Sequence, residues 1–324
     1  MNDRTAIAAP RPLVQSPEPA PAAAGPLSVD AALVPAQAVG WRPSVCIVVD
    51  ELRASSTITT ALDLGASEVV LTASLREARL IARDRGSLLF GERGGLTPPG
   101  FDANNSPEDL RRVGVNGRRV VLSTTNGTAV LSRVRGMPVV LVGCLLNARA
   151  CAEAAVDEAT ERGIGIGVIC AGRRGGFALD DAVAAGLIVR RIAHAAAVRG
   201  LDCRVTDAAR ATLKLRAAYP DYAAALRESA SGHVVAGLGQ AADIELCAQA
   251  DISVTVPILR PETLLRVERL PGRLWAGAGG QQQTAGRTAS PLPGSEAAAA
   301  AGGPGDAFLS TDEEDRLGVD YRNE

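Results

Sequence analysis

Between residues 45 and 57 the chain reads Val45-Cys46-Ile47-Val48-Val49-Asp50-Glu51-Leu52-Arg53-Ala54-Ser55-Ser56-Thr57. The apolar, β-branched first part predicts a buried strand at about 45–49. The residues after it have a helical pattern, and Ser55 or Ser56 is a suitable N-cap for a helix over about 55–64. A helix start presents free backbone N–H groups and a positive dipole to an anion. The stretch therefore predicts a strand–helix junction that can hold a phosphate or sulfonate together with a metal ion.

A second interpretation of the same residues is purely structural. Arg53 could pair with Asp50 or Glu51 as a local salt bridge beside a capped helix, and such pairs are common. This stretch alone does not separate the two interpretations.

Similar junctions recur along the chain. Apolar runs at 88–90, 120–122 and 166–170 each lead into a loop rich in Gly, Asn, Thr, Arg or carboxylate side chains. Each loop alone could be an ordinary turn, and the pair Asp180-Asp181 could simply complement a helix dipole. Ligand sites in open α/β sheets form where strands end. We therefore expect these loops to meet and line one anion site.

Five motifs, in this order, carry a resemblance to a known family. They are Asp50-x-Leu52-Arg53-Ala54-Ser55-Ser56, Gly91-Glu92-Arg93-Gly94-Gly95, Gly100-Phe101-Asp102-x-x-Asn105-Ser106-Pro107, Thr124-Thr125-Asn126-Gly127-Thr128, and Cys170-Ala171-Gly172 with Asp181. The pattern resembles that of the 2-phosphosulfolactate phosphatases, the ComB family, over residues 41–260. The resemblance implies a family-specific α/β fold and a Mg²⁺-dependent phosphatase that converts (2R)-2-phospho-3-sulfolactate to (2R)-3-sulfolactate, a step in coenzyme M biosynthesis.

Two positions depart from the family pattern. Glu51 stands where the family usually has an apolar residue, and Asp180-Asp181 stands where a Glu-Asp pair is expected. Neither change removes a carboxylate, so the general chemistry is retained. Two alternatives stay open: a different phosphorylated hydroxy acid as the substrate, or a non-catalytic protein that binds a phosphorylated metabolite.

A phosphorylated sulfo- or carboxylic acid concentrates negative charge, which calls for arginine, oriented N–H groups and a divalent cation. The candidate substrate-binding residues are Ser55, Ser56, Arg93, Thr124, Thr125, Asn126, Gly127 and Arg173, with Arg174 as a further cation. The candidate Mg²⁺ ligands are Asp50, Glu92, Asp102, Asp180 and Asp181, because hard carboxylate oxygens suit this ion. Asp50 and Asp181 are expected nearest to the metal and, with Arg53, are the predicted catalytic residues.

The sequence lacks the nucleophile motifs of three covalent phosphatase classes. No Cys is followed six positions later by Arg, no Asp-x-Asp follows an apolar run, and neither histidine lies in an Arg-His-Gly context. The remaining route is direct attack by a water that Mg²⁺ and a carboxylate polarise. A nucleophilic Asp50 stays open as the alternative.

Composition excludes several classes of partner. The 324-residue chain has a formal net charge of −2 and 3% aromatic residues, which favours neither nucleic acid nor a membrane surface. No apolar stretch approaches the roughly 20 residues that span a bilayer. The six scattered cysteines predict buried thiols in a cytoplasmic protein, although Cys170, at a strand end beside Gly172 and Arg173, could have a lowered pKa. The expected partner is a small anionic phosphorylated substrate.

The ends of the chain differ in composition from the middle. Residues 1–38 are rich in Pro and Ala and predict a disordered tail, and residues 271–324, rich in Gly, Ala, Gln and acidic residues, predict a second flexible tail. Residues 39–270 predict one α/β phosphatase-like core.

Within the core, apolar runs alternate with helical patterns. Strands are predicted near 45–49, 67–71, 87–90, 119–123, 138–142, 164–170 and 252–256, and helices near 55–64, 74–84, 106–112, 127–135, 147–162 and 180–198. This alternation predicts a three-layer α/β/α fold with a mainly parallel or mixed central sheet of about six or seven strands. A helical segment at about 203–250 precedes the last strand and could cap the active site or form a homodimer contact.

Overall fold

A computed structural model of the protein describes residues 25–42, 44–124, 126–261 and 265–271. In these ranges the strands are β1 Leu27–Ala32, β2 Ser44–Val49, β3 Glu68–Thr72, β4 Leu88–Gly91, β5 Arg119–Ser123, β6 Val139–Gly143, β7 Gly165–Cys170, β8 Cys203–Val205, β9 Pro257–Pro261 and β10 Leu265–Arg269. The α-helices in the same ranges are α1 Ala54–Asp63, α2 Leu75–Arg85, α3 Pro107–Val113, α4 Asn126–Val134, α5 Ala148–Arg162, α6 Leu179–Val198, α7 Asp207–Ala218, α8 Tyr222–Glu228, α9 Ala230–Gly237 and α10 Ala241–Cys247. Short 3₁₀ helices lie at Pro35–Ala38 and Leu145–Asn147.

All of these strands belong to one mixed sheet, in the order β4-β5-β3-β10-β9-β6-β2-β7-β1-β8. β2 pairs in parallel with β6 and β7, and β1 pairs in parallel with β7 and β8. β3, β4 and β5 form a second parallel group. The antiparallel pair β9–β10 joins the groups, with β9 against β6 and β10 against β3. An α/β fold with a mixed sheet is therefore confirmed, and the pairing directions make the two parallel groups run in opposite senses.

The predicted number of six or seven strands is wrong, because the described residues already form ten strands in the sheet. β8 is only three residues long, too short to give a periodic signal. The predicted last strand at 252–256 is misplaced: Ile252 and Val254 are exposed, and β9 begins at Pro257. Proline lacks an N–H donor but is tolerated as the first residue of a strand.

The predicted start of the core at residue 39 is also wrong. β1 lies between β7 and β8 and Val29 is fully buried, although the composition of residues 1–38 predicts a disordered tail. Leu27, Val29 and Ala31 alternate with polar residues, but the strand is short and follows a long Pro- and Ala-rich stretch that hides this pattern. Residues 1–24, and residues 272–324 of the second predicted tail, lie outside the described residues.

Helices pack on both faces of the central strands. Val45, Ile47 and Val49 of β2 pack in one apolar cluster with α5 and α6, whereas Cys46 and Val48 pack in a second cluster with α1 and α4. Successive side chains of a strand point to opposite faces. Burial on both faces therefore explains why the run at 45–49 is continuously apolar.

The helix predictions agree well with the structure. Ser106 caps α3, accepting a hydrogen bond from Asp109 N, and Pro107 is its first residue. The predicted helical segment at 203–250 contains α7 to α10, but it starts with the short strand β8 and precedes the last two strands rather than one. In the described part of the chain, no helix combines the length and the apolarity needed to cross a membrane.

The position of β1 leads to a prediction about truncation. A chain that begins at residue 25 should melt like the full chain, whereas a chain that begins at residue 39 loses β1, exposes the edge of β7 and leaves β8 unpaired. Removing buried apolar side chains of this kind costs several kcal/mol, so we expect the melting temperature to fall by roughly 10 °C or more, or the shorter chain to be insoluble. Thermal unfolding followed by circular dichroism measures both, and equal melting temperatures would contradict the assigned role of β1.

Candidate active site

A cavity of about 440 Å³ opens where β2, β4, β5 and β7 end and where α9 begins. Its walls are formed by Asp50, Leu52, Arg53, Glu92, Gly94, Gly95, Asn105, Thr124, Asn126, Arg173, Arg174, Ser231, Val234 and Val235. The expected meeting of distant loops is therefore present. Seven of the candidate residues from the sequence reach this cavity: Asp50, Arg53, Glu92, Thr124, Asn126, Arg173 and Arg174.

Asp50 lies at the centre of the site and is 7% exposed. Its Oδ2 accepts a hydrogen bond of 2.6 Å from Gly127 N at the start of α4, and its Oδ1 accepts one of 3.4 Å from Ala54 N. Burial raises the pKa of Asp50 to about 6, with a further contribution from the Asp180 charge, although the two N–H groups lower it. Asp50 thus joins the end of β2 to the helix that follows β5.

Asp180 is the second buried acid beside the cavity, and it is 1% exposed. Burial raises its pKa to about 6, although the Ser231 and Ser229 hydroxyls lower it. Its Oδ1 is buried and has no hydrogen-bond partner in the part of the chain that the structure describes. A buried acceptor of this kind costs free energy unless a ligand satisfies it.

Asp181 does not line the cavity. Its Oδ1 accepts a hydrogen bond from Glu51 N and its Oδ2 accepts one from Gly172 N, each at 2.8 Å. Burial and the neighbouring charges of Asp180 and Asp50 raise its pKa well above the ordinary value. The side chain therefore ties the loop after β2 to the loop after β7, and the catalytic and metal-binding roles predicted for Asp181 stay predictions.

Glu51 is completely buried beneath the cavity. Its Oε1 accepts a hydrogen bond of 3.0 Å from Ser56 Oγ, and its Oε2 accepts one of 2.9 Å from Leu145 N. Burial raises the pKa of Glu51 to about 8. The carboxyl group links β2 and α1 to the 3₁₀ helix after β6.

The predicted N-cap of α1 is wrong. The helix begins at Ala54 with Arg53 in the N-cap position and no side-chain cap bond. Ser55 Oγ instead accepts a hydrogen bond from Asp50 N, and Ser56 Oγ donates to Glu51. Both serines are buried behind the loop, so the structure does not bring their hydroxyls to the cavity.

Arg53 lines the cavity but does not pair with Asp50 or Glu51, the partners that the structural interpretation proposed. Its Nη1 forms a buried ion pair of 2.7 Å with Asp243 Oδ2 in α10. The same nitrogen donates to Gln240 Oε1 at 2.7 Å, and Nη2 donates to Asn104 Oδ1 at 3.3 Å.

The loop after β5 contributes polar groups from its described residues. Thr124 Oγ1 and Thr128 Oγ1 are 2.8 Å apart, and Asn126 is the first residue of α4. Gly127 approaches closely: a Cβ atom there would lie 2.8 Å from Asp50 Oδ2 and 3.2 Å from Ala54 Cβ. Thr125, a predicted substrate-binding residue, lies outside the described residues.

Two further candidates lie away from the cavity. Asp102 is exposed, and its Oδ2 accepts a hydrogen bond from Leu89 N at 2.7 Å. Arg93 is exposed and donates to Ala73 O at 2.9 Å. Glu92 does reach the cavity wall, where its Oε2 accepts a hydrogen bond from Gly95 N at 2.9 Å.

The five predicted metal ligands do not all lie together at the cavity, because only Asp50 and Glu92 line its wall. Among the described residues, no group of three or more His, Cys, Asp or Glu side chains is arranged to hold a metal ion. The acids that remain at the cavity are Asp50, Glu92 and, just beneath the wall, Asp180.

Asp243 and Gln240, which hold Arg53, were not among the site residues predicted from the sequence. Asp243 lies 190 residues after Arg53, and nothing local signals the contact. A lowered pKa for Cys170, the less favoured alternative to simple packing, is not found, because burial raises the pKa of this thiol well above its ordinary value. All six cysteines are free and buried, as predicted.

Comparison with known proteins gives one consistent family. Residues 33–262 match the family model described as 2-phosphosulpholactate phosphatase. The chain is 41% identical over 222 residues to a protein of Deinococcus radiodurans named probable 2-phosphosulfolactate phosphatase, covering 68% of this chain and 89% of that protein. It is 38% identical over 226 residues to the 2-phosphosulfolactate phosphatase of Methanothermobacter thermautotrophicus, covering 70% of this chain and 91% of that protein. A probable 2-phosphosulfolactate phosphatase of Thermus thermophilus is 40% identical over 219 residues, covering 67% and 89% of the two chains.

The buried Glu51 leads to a prediction about stability and pH. The pKa of Glu51 rises from 4.5, its ordinary value, to about 8 in the folded protein. The stabilisation that the folded state gains by holding this proton is therefore full below pH 4.5 and is lost as the pH rises through 8. The neutral variant Glu51→Gln should therefore gain stability over the wild type between pH 5 and pH 9, by an amount on the order of a few kcal/mol. Urea unfolding at several pH values measures this difference.

Glu51→Ala is the control, because it removes the charge and also leaves Leu145 N and Ser56 Oγ without their acceptor. It should be less stable than Glu51→Gln at every pH, by about 1–3 kcal/mol for each buried donor left unpaired. A pH-independent difference between the wild type and Glu51→Gln would show that Glu51 does not take up a proton on folding.

Proposed function

The chain belongs to the 2-phosphosulfolactate phosphatase family, and we propose that it hydrolyses (2R)-2-phospho-3-sulfolactate to (2R)-3-sulfolactate and inorganic phosphate. Membership of this family makes it a phosphoric monoester hydrolase. The observation that carries the proposal is the composition of the cavity, where Asp50, the N-terminus of α4 and three arginines meet. A substrate with a phosphoryl, a sulfonate and a carboxylate group needs this combination of cations and oriented N–H donors.

The acids at the cavity fit a Mg²⁺ ion. Asp50 and Asp180 are both buried, and the Asp180 charge contributes to the raised pKa of Asp50. Among the described residues, Asp180 Oδ1 has no hydrogen-bond partner. Mg²⁺ is usually held by one or two carboxylates together with waters and substrate phosphate oxygens rather than by an all-protein cage. We therefore propose Asp50 and Asp180 as the two protein ligands, and waters and substrate phosphate oxygens would fill the other coordination positions. When bound, Mg²⁺ would lower the pKa of a coordinated water and stabilise charge on the phosphoryl group.

The protein groups around the cavity supply the rest of the proposed reaction. Asp50 accepts a proton from the attacking water as the water oxygen bonds to phosphorus. The ester P–O bond breaks, and the same proton passes to the leaving alkoxide oxygen. Thr124 and Asn126, beside the first turn of α4, bind phosphoryl oxygens.

The sulfonate and carboxylate groups of the substrate would lie near the positively charged loop after β7. Arg173 and Arg174 line the cavity, and the described residues give neither side chain an ion-pair partner. A planar guanidinium suits sulfonate and carboxylate oxygens. We assign these two arginines to the acid groups that do not react.

Metal dependence and substrate choice can be tested together. The purified chain is incubated with 2-phosphosulfolactate, phospholactate or phosphoglycerate, with Mg²⁺ or with EDTA, and released phosphate is measured. We expect the highest kcat/KM with 2-phosphosulfolactate, loss of activity in EDTA and recovery on adding Mg²⁺. Asp180→Asn should lower kcat/KM by about a hundredfold and raise the Mg²⁺ concentration needed for half-maximal rate.

Asp157→Asn is the matched control, because Asp157 pairs with Arg199 on the surface of α5, away from the cavity. It should behave like the wild type. Preference for phospholactate or phosphoglycerate would assign the site to a different phosphorylated hydroxy acid. Binding of these compounds without phosphate release would indicate a sensor, and full activity in EDTA would exclude the metal.

The close approach of Gly127 to Asp50 gives a second prediction. In Gly127→Ala the new methyl group would press on Asp50 Oδ2 and Ala54 Cβ, so the carboxylate must move and its hydrogen bond must lengthen. Misplacing a catalytic group by about 1 Å can cost about a hundredfold in rate, and we expect a loss of that order in kcat. Phosphate release measures it.

Gly136→Ala, just after α4, is the control because no atom lies within 4 Å of the added Cβ atom. It should retain normal kcat and melting temperature. A Gly127→Ala variant with wild-type kcat would contradict the assigned role of Asp50.

A further inference from the structure

We propose that Asp243, together with Gln240 and Asn104, is a positioning element that holds Arg53 in the one orientation in which its free N–H edge can bind the phosphoryl group. The inference rests on the proposed function and deepens it. It makes α10, in the helical segment that precedes the last two strands, part of the active site rather than a cover for it.

The first step concerns the donors of Arg53. A guanidinium has five N–H donors. Two on Nη1 bind Asp243 and Gln240, and one on Nη2 binds Asn104. The Nε–H and the second Nη2 hydrogen are left without a partner among the described residues, although the side chain is 5% exposed and lines the cavity. The Nε and Nη2 donors form the fork that binds two oxygens of a phosphate or carboxylate.

The second step concerns the fixed position of Asp243. This carboxylate is 1% exposed, and its Oδ1 accepts hydrogen bonds from Ser106 Oγ at 2.8 Å and Glu108 N at 3.1 Å. Its Oδ2 is thereby directed to Arg53 Nη1 at 2.7 Å. The N-terminus of α3 therefore fixes Asp243, and Asp243 fixes Arg53.

The third step concerns Asn104, which holds the guanidinium from another direction. Its Oδ1 accepts from Arg53 Nη2 and also from Asn105 N at 2.7 Å, and its Nδ2 donates to Gly95 O at 2.8 Å. Gly95 and Asn105 both line the cavity. We call Asp243, Gln240 and Asn104 the clamp on Arg53. Through Asn104, the clamp is connected to the loop that follows β4.

These contacts oppose the usual freedom of an arginine side chain. Without the three acceptors, Arg53 would sample several rotamers, and the carboxylates of Asp50 and Glu92 on the cavity wall could then attract it. Held by the clamp, its charge is partly balanced by Asp243 and its fork stays open for the substrate. Preorganised donors of this kind stabilise a transition state because they need no reorganisation.

The test uses the full chain and two measurements, phosphate release and the calorimetric affinity for inorganic phosphate in the presence of Mg²⁺. Asp243→Asn keeps one acceptor oxygen for Ser106 but places an amide against Arg53. We expect this variant to lower kcat/KM and to weaken phosphate binding, each by about tenfold or more. The ratio of the two losses should be the same as in Arg53→Ala. The double variant Arg53→Ala with Asp243→Asn should be no worse than Arg53→Ala alone, because Asp243 acts through Arg53.

Glu245→Gln is the matched control in the same helix, since Glu245 pairs with Arg227 on the surface and both side chains are half exposed. It should leave both measurements unchanged. If Asp243→Asn does not fold, Gln240→Ala replaces it in the cycle, because Gln240 makes no cap bond to α10 and its loss removes only the acceptor for Arg53. Gln240→Ala should shift both measurements in the same direction by a smaller factor.

Wild-type rate and phosphate affinity in the Asp243 and Gln240 variants would overturn the proposal, and so would losses that multiply in the double variant. Absence of phosphate release by the wild type from every phospho-acid would refute the proposed function alone, because the affinity measurements would still decide whether Asp243 acts through Arg53. A wild-type chain that binds no phosphate would refute the clamp as well.

Discussion

The structure depends on how four buried carboxylates are accommodated at one place. Asp50, Glu51, Asp180 and Asp181 are each at most 7% exposed, and within the described residues none of them forms an ion pair with an arginine. Backbone N–H groups and hydroxyls hold them instead. Such groups compensate only part of the cost of burying negative charge. The site therefore retains a demand for positive charge, which protons or a cation must meet.

The sheet explains how the acids and their donors come together. Its two parallel groups run in opposite senses and are joined through β9 and β10, yet the end of β2 and the helix after β5 meet through the hydrogen bond from Gly127 to Asp50. Adjacent strands twist by about 20–25° on average, and the rotation accumulates across a sheet. Residues from both groups can thus face one cavity. In a fully parallel sheet, only residues at the one edge where the strands end could do so.

Sequence patterns predicted the parts of this arrangement that are local. The strands β2 to β7 and the loops that follow them have strong apolar runs with clear ends, so the candidates Asp50, Glu92, Thr124 and Arg173 were found. The direction of a side chain in the first turn of a helix depends on how that helix lies in the fold, which the local sequence does not give. Ser55 and Ser56 were therefore expected at the cavity, although they point into the interior. Weakly patterned strands such as β1 and β8 were missed for a different reason: neighbouring strands, more than their own sequence, stabilise them.

The clamp on Arg53 was beyond the reach of sequence patterns for a related reason. Asp243 and Arg53 meet only after α10 packs beside α3, and an isolated Asp in a short helix has no signature that distinguishes it from a surface residue. Conversely, Asp102 carried a strong local signal after β4 and yet binds Leu89 N outside the cavity. The sequence motifs thus predicted which loops form the site, but they did not predict which side chain of each loop reaches it.

The four carboxylates differ in what they can offer a cation, and their positions and protonation decide the difference. Asp181 does not line the cavity, and its two oxygens accept hydrogen bonds from Glu51 N and Gly172 N. Glu51, whose pKa burial raises to about 8, is largely protonated at neutral pH and links β2 and α1 to the turn after β6. Protonation keeps the additional acid from adding a charge beside Asp50. The remaining negative charge is concentrated on Asp50 and Asp180, and Asp180 Oδ1 has no hydrogen-bond partner among the described residues. A buried pair of like charges with one open acceptor is destabilising for the protein alone, and either a proton taken up by one carboxylate or a cation held between the two relieves the repulsion.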